Sequence, residues 1–279
     1  MPGSQTLAVE LLAGTRELLA AHARELPQRD DLCGAFCGAL ALRAAGVLGA
    51  DGRELDQDDV ALAAGSLISP ARAGGVLPHG EGGRRDYRLS LPLIEDSDLS
   101  GTTAAGVVEA IEQLGGGALA AIPCAGPWSE AALDALFDAA SSLARPVTLI
   151  ANLATHHLWG GRPSLAQLLA YLLEGEPRGP APDWRVGHFA CVVARVRGPR
   201  GCLFALADTY PALGHGGVHL QPRERLAAAI ARRDMPAGGV IAVSALEDAP
   251  AIRSAALAAG LRERAWDNGT ASVKQETLP

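Results

Sequence analysis

The sequence predicts an α+β fold. Its first third reads as helices, residues 100–155 alternate helix with strand, and the last third opens on two apolar strands joined by a short turn. The chain has 279 residues, enough for a packed core, and 48% hydrophobic against 20% charged residues marks it as globular. We expect one domain over residues 1–279, with 100–155 as an α/β elaboration.

The elements follow in order. Residues 5–25 carry Leu and Ala at helical spacing, interrupted by Glu10, Arg16 and Glu17, so they read as an amphipathic helix and not as a signal peptide. Pro27 and polar neighbours break that helix. Asp30 and Asp31 are placed to cap a second one, which runs from Cys33 to about Ala45 with Gly46 as its stop. "DGRELDQDDVALAAG" is a further capped helix start. Residues 69–90 are rich in Gly, Pro and Arg and read as a long loop. Beyond Ser100 come a helix ending at "LGGG", the strand "ALAAIPC", a helix opened by Ser129, the strand "RPVTLIANL" and the helix "PSLAQLLAYLLEG". We expect those two strands to lie side by side.

The hairpin is "VGHFACVVARV", the turn "GPRG" and "CLFALADTY". A Gly/His loop, the helix "RERLAAAIARR" and the strand "GGVIAVSAL" follow. After about Trp266 the chain is polar and is expected to fray.

Charge and cysteine usage narrow the function. The net charge of −7 without a dense basic stripe argues against nucleic acid and anionic membrane as partners. No run is apolar enough to span a bilayer. Five scattered cysteines fit free thiols and a cytoplasmic location better than a disulfide framework. Cys33 and Cys37 form a C-x-x-x-C pair without a second half at zinc spacing, so no metal is expected. His156, His157, His215 and His219 read as rim histidines, with His215 the one near enough to Asp208 to line a site. Cys124, Cys191 and Cys202 read as core.

Three placements carry chemistry. Cys33 opens a helix, where outward N–H groups and the dipole favour an anion such as a thiolate. His188 begins a strand and can take the thiol proton. Asp208 ends the next strand and can orient the imidazole. Gln28, just upstream, offers a side-chain amide that could hold an oxyanion together with the Cys33 N–H. Gly34 would leave room beside the sulfur, and Trp184 and Gly187 precede the histidine where a substrate cleft would form. Cys37, one turn on, reads as core packing or as a redox partner of Cys33.

Taken together, "QRDDLCGAFC", "GHFACVV" and "ALADTY" resemble the papain-like cysteine peptidases, and most of all the bacteriocin-processing, double-glycine leader peptidase type. Those domains carry a Gln before a Cys-Gly pair, a Gly-His-aromatic strand start and an Asp-Pro after the next strand. Here Thr209 stands where the proline would be. The resemblance covers residues 26–46 and 184–212. It implies a Cys helix packed on a mostly antiparallel sheet carrying His and Asp. It also implies Cys33 as nucleophile, His188 as base, Asp208 as orienting acid and Gln28 in the oxyanion hole, with no cofactor. The expected function is thiol-dependent acyl transfer on a peptide or small amide. Water as acceptor makes a peptidase or amidase, and an amine makes an acyltransferase. The rivals are a non-catalytic binding protein of the same fold and a Cys33/Cys37 redox protein.

Overall fold

Alternation along the central strands sets the architecture. In β4 (Gly187–Arg197), Phe189, Cys191 and Val193 join one apolar cluster, while Ala190 and Val192 join another. The computed structural model describes residues 6–71, 77–182 and 184–271. It shows an α+β protein with an eight-stranded sheet between two helical layers. The other strands are β1 (Ala8–Leu11), β2 (Leu119–Ala125), β3 (Thr148–Ala154), β5 (Cys202–Ala207), β6 (Val218–Pro222), β7 (Gly239–Ala245) and β8 (Arg262–Glu263). Their order is β6-β5-β4-β3-β7-β2-β8, with β1 also on β4, and every pair is antiparallel. Both faces are covered, which is why β2 and β3 are buried at every position.

One layer is α1 (Thr15–Glu25), α2 (Cys33–Ala44), α3 (Gln57–Ala64) and α4 (Ala104–Leu114). The other contains α5 (Glu130–Ser141), α7 (Arg223–Ala231) and α8 (Ala249–Ala258). Helix α6 (Leu165–Glu174) packs through Tyr171 and Leu172 on a small cluster with Trp159 and Leu203. Local signals place most of these starts. Asp56 and Ser164 make capping boxes, and the Thr103 and Ser129 hydroxyls accept from Gly106 N at 2.9 Å and Ala132 N at 3.2 Å. No helix among the described residues is long and apolar enough to cross a membrane.

Four expectations change. Residues 8–11 form an edge strand instead of the start of a helix. Glu10 is held by buried Arg195 of β4 (Nε to Oε2, 2.8 Å), and Gly14, at φ 83°, turns the chain before α1 begins. Strands β2 and β3 are not neighbours, because β7 lies between them and pairs with both. Residues 100–155 are therefore built into the sheet. The segment read as a Gly/His loop contains β6, paired along β5. Finally, the chain after Trp266 folds back: Trp266 is buried and Ala271 N bonds Leu99 O at 3.0 Å. Residues 272–279 lie outside the described residues, as do 72–76 of the long loop.

A buried polar knot sets the entry to α2. Glu25 accepts from Gln57 N (3.1 Å) and Gln57 Nε2 (2.9 Å) and pairs with Arg43 (2.7 Å), while Gln57 Oε1 accepts from Arg29 N at 2.6 Å. The loop between α1 and α2 is thereby tied to both flanking helices and to α3.

Helix α4 approaches α3 through a glycine. A Cβ at Gly106 would come 2.4 Å from the Ala64 carbonyl oxygen. Gly106→Ala is therefore expected to destabilise the fold by roughly 1–3 kcal/mol despite alanine's better helix propensity. Urea denaturation checks this, and a neutral or stabilising result would mean the helices can separate without cost.

Candidate functional site

The loop after α1 and the end of β5 are stitched together, and this brings the predicted residues to one place. Gln28 N donates to Thr209 O at 3.0 Å, and His22 Nε2 of α1 donates to the Asp208 carbonyl at 2.5 Å. Cys33 is the first residue of α2, half-buried. The helix has Leu32 as N-cap and no side-chain cap. Asp30 and Asp31 do not cap it. Their carboxylates accept from Arg84 N and Ser69 N, each at 2.9 Å, and so hold the 69–86 loop. The helix N-terminus is left without a competing carboxylate.

His188, at the start of β4, is buried. Its Nε2 donates to Asp208 Oδ1 at 2.8 Å, which leaves Nδ1 as the nitrogen for the thiol. Burial disfavours the charged ring, but the Asp208 charge and hydrogen bond, with a smaller contribution from the adjacent Cys33, lift its pKa to about 10. Asp208 is saturated. Oδ1 also accepts from Thr209 N (2.7 Å), and Oδ2 accepts from His219 Nε2 (3.0 Å). Burial alone would raise its pKa, yet His188 and His219 hold it well below the ordinary carboxylate value. His219 Nδ1 in turn accepts from Gln221 Nε2 at 2.8 Å, and Gln221 bonds both the N–H and the carbonyl of Trp159. Aromatic rings enclose the imidazole. The Trp184 centroid is 4.9 Å away, and Tyr210 stacks at 6.1 Å and 19°.

These groups face a cavity of about 430 Å³ whose wall includes Gln28, Cys33, Trp184, Gly187, His188 and Tyr210. The Gln28 side chain is buried and makes no hydrogen bond among the described residues, and its Oε1 is fully enclosed without a partner. Gly34 is not in the wall. A Cβ there would lie 3.0 Å from Thr102 and 3.1 Å from Val107, so this glycine serves packing and not substrate room. His215 is not in the wall either. It is exposed in the turn before β6, while strand alternation points His219 and Gln221 inward.

Cys37 is fully buried and beside Cys191. Burial, with Cys191 next, pushes its thiol well up, and no disulfide joins it to Cys33. His156 and His157 reach the exposed Asp234 at 2.8 and 3.1 Å. These are ligand types grouped as a metal would need, but Arg185 donates to the same carboxylate at 2.9 Å and supplies the positive charge there.

Sequence reasoning missed Tyr210, Asn152 and Arg232, and it read His219 as a rim histidine where the structure buries it against Asp208. Tyr210 stands two residues from Asp208, and "HLQ" alternates as a strand does, so local signals existed for Tyr210 and His219. Asn152 and Arg232 are brought to the cavity by β3 and the end of α7, which nothing local foretells.

Fold and cavity together define an α+β protein with a thiol, an imidazole and a carboxylate aligned at one end of its sheet. The chain belongs to a family of unknown function, DUF6885, whose model matches residues 12–267. A comparison with curated proteins finds no match.

Two outcomes test this electrostatic arrangement. Asp208→Asn should lower the His188 pKa strongly and Cys33→Ala should lower it less, read by NMR titration of the ring; equal small shifts would mean the pairing is not what holds the proton. A histidine whose pKa is raised on folding adds stability that is complete below its unfolded value of about 6.5 and lost as pH rises toward 10. Wild-type stability should therefore fall across that window, and Asp208→Asn should flatten the fall. Cys37→Ala should cost roughly 1 kcal/mol in denaturation and leave alkylation of Cys33 unchanged. Loss of alkylation would instead tie the second thiol to the first.

Proposed function

We propose that this protein carries out thiol-dependent acyl transfer on a peptide or small amide, using a papain-like cysteine peptidase fold. The observation that carries this reading is a half-buried thiol and His188 side by side in one cavity wall, with the imidazole bonded to a buried and saturated carboxylate. A purely structural histidine has no need of a cavity, and a purely structural cysteine has no need of a protonated ring beside it.

In this mechanism the thiol proton rests on His188, and the Cys33 sulfur attacks the carbonyl carbon. The carbonyl oxygen takes the negative charge and is met by the Cys33 N–H and the Gln28 amide. The C–N bond breaks, His188 gives its proton to the departing nitrogen, and a thioester remains on Cys33. Water or an amine then attacks the thioester, passing a proton to His188, and the sulfur leaves. Asp208 keeps the ring oriented and balances its charge throughout. A cavity of about 430 Å³ suits a small amide or the end of a peptide. The Gln28 side chain lines this cavity with Cys33 and makes no hydrogen bond among the described residues, so its Nε2 is available to donate to an oxyanion. The redox reading loses support from the burial of Cys37.

The test is single-turnover acylation by a chromogenic ester beside alkylation by iodoacetamide. Cys33→Ala should abolish both. Gln28→Ala should slow acylation by about 10²–10³, roughly 3–4 kcal/mol, and leave alkylation intact, because alkylation builds no oxyanion. Gln28→Glu should be at least as slow. Acylation that survives Cys33→Ala defeats the enzyme reading, and equal acylation in Gln28→Ala removes Gln28 from the site.

A further inference from the structure

Arg232 ends α7 in the left-handed region (φ 43°, ψ 50°), a conformation a non-glycine residue adopts at some cost. Its side chain is 2% exposed and reaches the same cavity wall as Cys33. Of its guanidinium donors, Nη1 bonds the Asn152 side-chain oxygen at 2.5 Å. Nε is enclosed without a partner, and Nη2 lies over Gly187, where a Cβ would come within 2.7 Å of it. No carboxylate among the described residues pairs with it. Asp234, two residues on, is engaged by His156, His157 and Arg185.

The other guanidinium groups in the wall are spoken for. Arg185 is exposed and bonded to Asp234, and Arg85 is turned onto Asp30 and the Ser69 and Pro70 carbonyls. A buried cation without an anion is costly, and a planar guanidinium with free donors is the preferred receptor for a carboxylate. In a chain of net charge −7, such a ligand needs a local cation of this kind.

We propose that Arg232 binds a free carboxylate on the substrate, so that the amide presented to Cys33 is an N-acyl amino acid or the C-terminal end of a peptide. The inference rests on Cys33 being the reactive thiol. Asn152 acts as a positioning residue: its side-chain oxygen also accepts from Trp266 Nε1 at 3.1 Å, which holds the guanidinium against the wall.

The experiment compares two alkylating agents that differ in charge, iodoacetate and iodoacetamide, on wild type, Arg232→Gln and Arg232→Lys. Because His188 attracts iodoacetate in every variant, the readout is the change in the ratio of rates. Arg232→Gln should lower the iodoacetate-to-iodoacetamide ratio about tenfold or more, and Arg232→Lys should fall between, as expected for one desolvated charge pair. An unchanged ratio overturns the proposal, and so does an equal loss with both reagents, which would make Arg232 a partner of the thiol instead. Should Arg232→Gln not fold, wild type decides: benzoylglycine should protect Cys33 from iodoacetamide at concentrations where benzoylglycinamide does not, and equal protection or none by both overturns the proposal. Failure of iodoacetamide to label Cys33 in wild type would instead defeat the reading of the thiol itself.

Discussion

The Asp208 carboxylate is the interaction on which the site depends. It ends β5 and is bonded by His188 from β4, by His219 from β6 and by the N–H of Thr209, while its own carbonyl takes the His22 N–H from α1. A buried carboxylate is tolerated only when its lone pairs are met, and here three donors meet them. The consequence is geometric. Three strands and a helix from distant parts of the chain are pinned at one atom group, and the His188 ring is fixed in orientation and charge. Gln221 and Trp159 extend the same network, so that the His219 tautomer is set by its second nitrogen.

The helix end depends on a different constraint. Asp30 and Asp31 stand where capping residues stand, yet they are spent on the 69–86 loop, and Arg29 and Gln28 are tied to Gln57 and Thr209. The first turn of α2 is thus fixed in place without a side chain folded over it. Capping it would add stability of about 1 kcal/mol and put a carboxylate where an oxyanion forms in the proposed reaction.

What was legible in the sequence follows from the range of the signals. Cys33, His188 and Asp208 each sit at an element boundary marked by local pattern, so their placement could be read along with the antiparallel hairpin that joins the last two. Residues 8–11 could not, because a largely exposed edge strand owes its existence to Arg195 and β4, far along the chain. The separation of β2 from β3 depends on where β7 inserts, a choice made by the whole sheet. His215 was favoured over His219 by distance along the chain, whereas the turn at Gly214, Gly216 and Gly217 reverses direction and hands the inward position to His219. Arg232 and Asn152 left no local trace, since their meeting is a product of tertiary packing alone.

Hydrogen bonding is densest where the scaffold carries buried charge. The Asp208 carboxylate is fully met, and the knot of Glu25, Gln57, Arg29 and Arg43 is similarly paired. Six enclosed side-chain polar atoms among the described residues lack hydrogen-bond partners: Gln28 Oε1 and Arg232 Nε belong to side chains in the cavity wall, and those of Asp58, Trp128, His156 and Trp159 lie elsewhere. In the proposed reaction Gln28 Nε2 donates to the substrate oxygen and the Arg232 guanidinium holds the substrate's anion.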